Sequence, residues 1–267
     1  MSEQPSRLAD GSVGAVVLAA GKGTRMGSPT PKVLQPLLGR AMIDCVLDQL
    51  EDVGFSHAGA PAPVMVVGFG AETVRAHVGD RARFVVQEPQ LGTGDAVAAA
   101  LRVIPSTVRT LLVVHGDEPL IEASSYREML LAQGRTGADV ALLTGSVYDT
   151  QGLGRVIRDG TGAVVDLVQE AELSSEQRRV REINFGAYVF SRAFLQEGLR
   201  SLHVHPGGEY YLTDLIPLAS RSGREVQVVT LENADERMGV NDPHQLARAE
   251  RLLREQGMPA AASTGPA

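Results

Sequence analysis

Few features of this sequence would place the chain in a membrane or in an oxidising compartment. Cys45 is the only cysteine among 267 residues, so no disulfide can form within the chain. No segment approaches the roughly 20 consecutive apolar residues that a membrane-spanning helix requires. The amino terminus, MSEQPSRLADGS, lacks the basic and then apolar layout of a signal peptide. We therefore expect a cytoplasmic protein with no membrane partner.

The sequence also has no excess of positive charge. Its formal net charge is −7, whereas proteins usually bind nucleic acids and anionic membranes through basic patches. We expect no nucleic-acid partner, and a phosphate-bearing ligand would have to be bound by a few local cations. No hexapeptide period of the kind that builds a β-helix is present. The sequence leaves the oligomeric state open.

What is present is the composition of an ordinary soluble globular protein, with 43% hydrophobic and 21% charged residues. The length suits one large α/β domain with a sizeable core. We expect that domain to span residues 13–257. The flanking segments 1–12 and 258–267 consist mainly of small and polar residues, which predicts disorder at both ends.

The first half of the chain alternates short apolar runs with helical patterns. The predicted strands are Ala15–Leu18, Val64–Val67, Phe84–Val86 and Leu111–Val114. The predicted helices are Met42–Leu50, a short one after Val67, and one that carries Ala96, Val97, Ala100, Leu101 and Ile104. Unalternated apolar runs separated by helices indicate buried parallel strands with right-handed crossovers. This pattern predicts a Rossmann-like, doubly wound sheet.

From about Val140 the pattern changes to closely spaced strands with polar turns. The predicted strands are Val140–Val147, Gly154–Arg158, Val164–Gln169 and Asn184–Phe190. Helices are predicted again at Tyr211–Ala219 and Pro243–Gln256, flanking a strand at Val226–Thr230. The second half is therefore predicted to be a smaller mixed or antiparallel region, after which the chain returns to the first sheet.

A glycine-rich loop, LAAGKGTRMG at 18–27, follows the first predicted strand. It is not a P-loop, because six residues separate Gly14 from Gly21 where that motif has four before Gly-Lys. It is not a dinucleotide fingerprint either, because Gly21, Gly23 and Gly27 are spaced one residue too far apart. Its amides could still approach a triphosphate, with Arg25 and Lys32 as fixed cations. The alternative is a solvated loop between strand and helix.

Asp117 follows the apolar run 111–114, at the carboxyl edge where open α/β sheets place their ligands. A hard carboxylate at that edge suits Mg²⁺. The alternative is an aspartate that caps the next helix.

Six stretches together resemble a known enzyme family. They are LAAGKGTRM with PKVLQ, QEPQLGTGDAV at 87–97, HGDEPLI at 115–121, GLGRVIRD at 152–159, EINFG at 182–186 and MGVNDPHQLARAE at 238–250. Their order and spacing are similar to those of the sugar-nucleotide pyrophosphorylases, and most of all to the uridyltransferase domains of the bacterial N-acetylglucosamine-1-phosphate uridyltransferases. The resemblance covers roughly residues 13–255. It implies Mg²⁺-dependent attack of a sugar 1-phosphate on the α-phosphorus of UTP, with release of pyrophosphate.

The resemblance also implies roles for individual residues. Arg25 and Lys32 would be catalytic cations, and Asn241 would join Asp117 as a Mg²⁺ ligand, although Asn before Asp-Pro is also an ordinary helix lead-in. Gln87, Gly92 and Thr93 would recognise the base, or else form an ordinary glycine-rich helix start. Gly154 and Asn184 would line the sugar site, or Asn184 could be a satisfied turn residue. The remaining implied substrate-binding residues are Leu18, Ala19, Ala20, Gly21, Lys22 and His115.

The sequence departs from the family pattern at several of these positions. Asp95 stands where the family usually has histidine, and His115 where it commonly has tyrosine. By residue count the family's sugar-binding glutamate falls on Gln169, with Glu170 beside it, so a one-residue shift could bring Glu170 into that place instead. Both residues are therefore predicted to bind substrate. The family's carboxyl-terminal β-helix has no counterpart in this sequence, which is compatible both with a single-activity protein and with part of a longer one.

Two other functions stay open from the sequence: a nucleotidyltransferase for a different sugar or alcohol phosphate, and a non-catalytic nucleotide-sugar-binding protein. Zinc is not expected, because His203 and His205 have no third Cys, His or carboxylate at a convincing spacing. Cys45 lies beside an apolar helix face and is expected to pack rather than react. Residues 170–182 are predicted to form a solvated loop or short helix.

Overall fold

The computed structural model describes residues 11–56, 60–148, 150, 152–231, 239–255 and 257. The termini that the sequence predicts to be disordered, apart from Gly11 and Ser12, lie outside the described residues. No helix among the described residues is long and apolar enough to cross a membrane.

A single sheet dominates the described part of the chain. Its strands are β1 Val13–Ala19, β4 Val64–Val67, β5 Arg83–Val86, β6 Thr110–His115, β7 Val140–Ser146, β8 Arg155–Arg158, β9 Val164–Val168, β10 Glu182–Ser191 and β11 Val226–Thr230. Their order in the sheet is β11-β7-β10-β6-β1-β4-β5, with β8 paired to β10 and β9 paired to β8. A separate two-stranded ribbon pairs β2 Pro36–Leu37 with β3 Arg40–Ala41. The helices are α1 Met42–Val53, α2 Ala71–Val78, α3 Thr93–Leu101, α4 Ala123–Thr136, α5 Arg192–Ser201, α6 Leu215–Arg221 and α7 Pro243–Glu255.

The first half of the sheet is parallel, and its central strands β1, β4 and β6 are almost entirely buried. β1 pairs in parallel with β4 and with β6, and β4 pairs in parallel with β5. All seven residues of β1 are buried. Helices α1, α2 and α4 cover one face of the sheet, and α3, α5 and α6 cover the other. This arrangement confirms the predicted doubly wound fold.

The second half is mixed, as the sequence predicted. β10 runs antiparallel to both β6 and β7, whereas β11 runs parallel to β7. The antiparallel pair β8 and β9 extends from β10. The register of β10 against β7 shifts between Asn184 and Tyr188, where Gly186 has a φ of +71°. This bulge in β10 lies next to the carboxyl end of β6.

The carboxyl-terminal segment returns to the first half of the chain. Ala249 and Leu253 of α7 pack with Leu37 and Met42 in a third buried cluster, which also contains Cys45. Burial raises the pKa of the Cys45 thiol, in keeping with the expectation that this residue packs. The return also brings Val240 to the sheet edge, where its N–H donates to the Asp117 carbonyl at 2.8 Å.

Candidate functional site

The glycine loop leaves β1 at the carboxyl edge of the sheet and turns sharply. Gly23 and Gly27 have φ values of +62° and +63° and flank a single 3₁₀ turn, Thr24–Met26. A Cβ atom at Gly23 would lie 2.6 Å from Lys32 Cβ. Glycine is therefore required at position 23 both for the left-handed backbone and for the close approach of the loop to Lys32.

Next to this loop lies an open cavity of about 420 Å³. It brings together most of the residues that the sequence analysis selected. Those that line it are Leu18, Ala19, Ala20, Gly21, Lys22, Lys32, Gln87, Gly92, Thr93, His115 and Asp117. Lys22 and Lys32 are the only lysines of the chain, and both lie in this cavity.

Lys32 joins the two predicted metal ligands. Its Nζ donates to Asp117 Oδ2 and, at 2.9 Å, to Asn241 Oδ1. Arg25 does not line the cavity, but its Nη2 donates to the same Asn241 oxygen at 3.1 Å. Because Asn241 lies 209 residues beyond Lys32, only the return of the chain to the first sheet brings these groups together.

The Asp117 and Asn241 oxygens fit a divalent cation. Both accept from one ammonium nitrogen, so they already converge on a single cationic group. Carboxylate and amide oxygens are the ligands that hard divalent ions prefer. The Asn241 backbone is fixed in turn, because its N–H donates to Gln245 Oε1 at 2.7 Å. A divalent cation on these oxygens would compete with the Lys32 ammonium for them.

The charges around Lys32 are set by burial and by their neighbours. Burial alone would raise the pKa of the Asp117 carboxyl, but the Lys32 charge reverses this effect and holds that pKa below its usual value. Burial, assisted by Lys32 and opposed by Asp117, lowers the pKa of His115. Asp117 is therefore ionised and His115 is neutral at neutral pH.

Glu118 lies next to Asp117 and was not selected by the sequence analysis. Its Oε2 is buried and has no hydrogen-bond partner among the described residues. Burial and the charge of Asp117 raise the pKa of this carboxyl well above its usual value. The HGDEPLI run does place a second carboxylate directly after Asp117. Strand alternation, however, predicts that successive side chains point to opposite faces, so it gave no reason to expect the two carboxylates close together.

At the other end of the cavity, Gln87 is 5% exposed and its amide is held firmly. Nε2 donates to the Gly92 carbonyl at 2.9 Å and to Asp95 Oδ2 at 2.8 Å. Asp95, which departs from the family pattern, thus fixes the orientation of the Gln87 amide, because a reversed amide would set Oε1 against a carboxylate. The Gln87 atom left to meet a ligand is the acceptor Oε1.

A second cavity of about 470 Å³ adjoins the first, since Thr93, His115 and Tyr211 line both. Gln169 and Glu170 line it together, because β9 ends at Val168 and a 3₁₀ turn begins at Glu170. Strand alternation no longer separates their side chains at that point. Glu170 Oε2 accepts the Gly152 N–H at 2.6 Å, so its carboxylate is already engaged with the backbone.

Two residues predicted to line the sugar site do not line either cavity. Asn184 lies in the β10 bulge, where its Nδ2 donates to the Tyr188 hydroxyl and its Oδ1 accepts the Gly186 N–H at 3.2 Å. This matches the satisfied turn residue that the sequence also allowed. Gly154 lies behind Gln169, with a Cβ at this position 3.7 Å from Gln169 Oε1. Both residues support the wall of the second cavity.

A substitution at Gly92 tests how closely this glycine packs in the cavity wall. A Cβ at Gly92, whose φ is +92°, would lie 2.6 Å from the Tyr210 carbonyl oxygen. We expect Gly92→Ala to lower the free energy of unfolding by at least about 1 kcal/mol more than Gly162→Ala. Gly162 is the matched control, because its φ is +88° and nothing lies within 4 Å of its added Cβ. Equal losses in urea titrations would contradict the close packing at Gly92.

The glycine loop and the Lys32, Asp117 and Asn241 side chains meet at the carboxyl edge of a mostly parallel sheet, which is where open α/β sheets bind their ligands. Residues 15–202 match the family of MobA-like NTP transferase domains. The chain belongs to this family. The match begins in β1 and ends just beyond α5. It therefore includes the central strands of the sheet, beside which both cavities lie, but not the segment that carries Asn241.

Whole-chain relatives include bacterial proteins named bifunctional protein GlmU. The protein from Heliobacterium modesticaldum is 41% identical over 243 residues, which cover 91% of this chain and 52% of the relative. The protein from Syntrophotalea carbinolica is 41% identical over 244 residues, and that from Enterococcus faecalis is 37% identical over 243 residues. These alignments cover 91% of this chain in both cases and 51% and 52% of the relatives. The chain thus spans about half the length of the curated relatives it matches.

Proposed function

We propose that this protein is a Mg²⁺-dependent uridylyltransferase that makes UDP-N-acetylglucosamine and pyrophosphate from UTP and N-acetylglucosamine 1-phosphate. The observation that carries the proposal is the meeting of Lys32, Asp117 and Asn241 beside the glycine loop. The similarity to proteins named GlmU supports the choice of substrates. The product would serve as a precursor for cell-envelope peptidoglycan.

The reaction needs no nucleophile from the protein. An ionised oxygen of the sugar phosphate attacks the α-phosphorus of UTP, a new P–O bond forms, and the bond to the β-phosphate oxygen breaks to release pyrophosphate. The two substrates are anions that repel each other, so the protein must align them and neutralise the charge that grows on the leaving group.

In this proposal, residues of this chain carry out both tasks. The loop amides from Gly21 onward bind the triphosphate, while Lys32 and Arg25 supply positive charge beside it. Asp117 and Asn241 would hold Mg²⁺, which when bound neutralises phosphate oxygens and orients the triphosphate. His115, kept neutral by burial and by Lys32, lies at the junction of the two cavities and adds no charge there.

The orientation of the Gln87 amide supports a uracil base. With both Nε2 hydrogens committed to Gly92 and Asp95, Gln87 presents an acceptor, which suits the N3–H donor of uracil. Cytosine has an acceptor at that ring position and would leave both groups unpaired. Loss of a buried hydrogen bond of this kind costs roughly 1–3 kcal/mol, which favours UTP over CTP.

The second cavity is the proposed sugar site. Gln169 would meet sugar hydroxyl or N-acetyl groups, whereas the Glu170 carboxylate is held by Gly152. Since a neutral amide replaces the charged acceptor expected from the family, binding of the sugar phosphate should be modest. A different sugar or alcohol phosphate is the alternative substrate for this cavity.

A pyrophosphate-release assay over a panel of nucleotides and phosphates tests the proposal. We expect the highest kcat/KM for UTP with N-acetylglucosamine 1-phosphate in Mg²⁺, and at least about tenfold less for CTP. Preference for another phosphate would change the sugar assignment and keep the reaction class. Nucleotide binding with no pyrophosphate release from any pair would instead indicate a non-catalytic nucleotide-sugar-binding protein.

A further inference from the structure

A second cluster of metal-binding side chains lies outside the Asp117–Asn241 pair. The histidines at 203 and 205 follow α5, and the fold brings Asp214 to them from the 3₁₀ turn that precedes α6. Their potential ligand atoms all lie within 4.8 Å of one another. Zinc was not expected because the two histidines had no third potential ligand, and the structure corrects this premise by placing the Asp214 carboxylate beside both of them.

The distances within this cluster suit a single ion. Asp214 Oδ2 lies 2.8 Å from His205 Nε2 and 3.8 Å from His203 Nδ1. Ligand pairs around a tetrahedral zinc ion, with bonds of about 2.0–2.1 Å, are about 3.4 Å apart. The two observed separations bracket that value, so small side-chain rotations would bring all three atoms into contact with one cation.

The cluster is held in place and is open to solvent on one side. His205 is stacked against Tyr211, with ring centroids 4.1 Å apart, and its other nitrogen Nδ1 lies 3.9 Å from Glu172 Oε1. A carboxylate behind the second nitrogen is a common device that orients a metal-binding imidazole. The His205 and Asp214 side chains are 12% and 19% exposed, whereas His203 is 72% exposed. Two anchored ligands and one accessible ligand leave an entry path for the ion.

We propose that His203, His205 and Asp214 bind a divalent transition-metal ion of the Zn²⁺ class, at a site separate from the proposed Mg²⁺ site. Two imidazole nitrogens and one carboxylate oxygen suit Zn²⁺, Co²⁺ or Ni²⁺, whereas Mg²⁺ prefers oxygen ligands. With three protein ligands, the coordination sphere keeps one position for water.

The position of this cluster links it to the first cavity. The Tyr210 N–H donates to the Leu91 carbonyl at 2.8 Å, and the Leu212 N–H donates to Thr93 Oγ1 at 2.9 Å. Glu209 and Tyr211, which lie between the histidines and Asp214, line the first cavity. A bound ion would therefore hold this wall of the cavity by tying the two ends of the segment together.

Titration of the untagged protein with Zn²⁺ in excess Mg²⁺ tests the site. We expect one equivalent of Zn²⁺ to bind, and His203→Asn to weaken that binding at least about tenfold. Because His203 is largely exposed, this variant should keep the wild-type melting temperature in the absence of Zn²⁺. Co²⁺ should give a visible absorption band in the wild-type protein that His203→Asn and His205→Asn weaken.

The matched control is His77→Asn. His77 Nε2 lies 3.0 Å from Asp44 Oδ2, and this pair has no third metal ligand beside it within the described part of the chain. Its replacement should leave Zn²⁺ affinity unchanged. The site would be refuted if Zn²⁺ failed to bind in excess Mg²⁺, or if His203→Asn bound it as tightly as the wild-type protein.

Discussion

Asp117→Asn is expected to reduce turnover by a factor on the order of 10² or more while the protein stays folded. The substitution removes the only full negative charge among the two proposed metal ligands and keeps the shape of the side chain. Charge stabilisation at a transferring phosphoryl group is worth several kcal/mol, so its loss should appear in kcat as well as in kcat/KM. Steady-state rates over a Mg²⁺ titration measure the effect.

Asp48→Asn is the matched control for this change. Asp48 accepts hydrogen bonds from Arg40 at 2.7 Å and from Arg81 at 2.6 Å, on α1 and outside the first cavity. Its replacement also turns an ion-paired carboxylate into an amide and should leave kcat unchanged. A folded Asp117→Asn protein with near-wild-type turnover in saturating Mg²⁺ would rule out Asp117 as a metal ligand.

Lys32→Ala is expected to have two effects of opposite sign. Loss of the cation should lower kcat by a factor on the order of 10², and kcat should change more than the KM for UTP, because the charge acts on the transition state. Affinity for Mn²⁺ without nucleotide should rise, since the ammonium no longer occupies the Asp117 and Asn241 oxygens or repels the ion. Kinetics and a Mn²⁺ titration followed by electron paramagnetic resonance measure the two effects.

Lys22→Ala separates these effects from a general loss of positive charge. Lys22 is the other lysine of the chain and lines the same cavity, with its Nζ 6.0 Å from the centroid of the Phe69 ring. Its replacement should not raise Mn²⁺ affinity. A change in the KM for UTP alone in Lys32→Ala would make Lys32 a residue that docks the triphosphate.

Much of the sheet could be predicted because its strands are continuous apolar runs bounded by turns. Val64–Val67 and Val226–Thr230 have the bounds that the sequence predicted. Helix α4 was missed, because buried polar residues such as Ser125 and Gln133 interrupt its apolar pattern. Helix α5 was also missed, since Gly198 is buried where a large apolar side chain would have marked the face.

From the residues alone, the candidate site could be predicted only where local sequence fixes position, and Asn241 was selected through the family resemblance. Asp117 was found because it follows a strand at the ligand-binding edge, and Lys32 because it follows the glycine loop. The hydrogen bond of Lys32 to Asn241 depends on a residue far along the chain. The hydrogen bond from Gln87 to Asp95 depends on a turn between the two residues. Asp214 was missed because no strand or helix period connects it to the histidines. It lies nine residues after His205, and a turn brings it back to them.

The most direct test of the proposed reaction is ³¹P NMR of the purified protein with UTP, N-acetylglucosamine 1-phosphate and Mg²⁺. Attack at the α-phosphorus should give two coupled diphosphate signals of the nucleotide sugar and an equal amount of pyrophosphate. Both should be lost on addition of a chelator and in Asp117→Asn. Formation of orthophosphate without pyrophosphate, or unchanged substrates with every sugar phosphate supplied, would contradict the assignment of this chain as a sugar-phosphate uridylyltransferase.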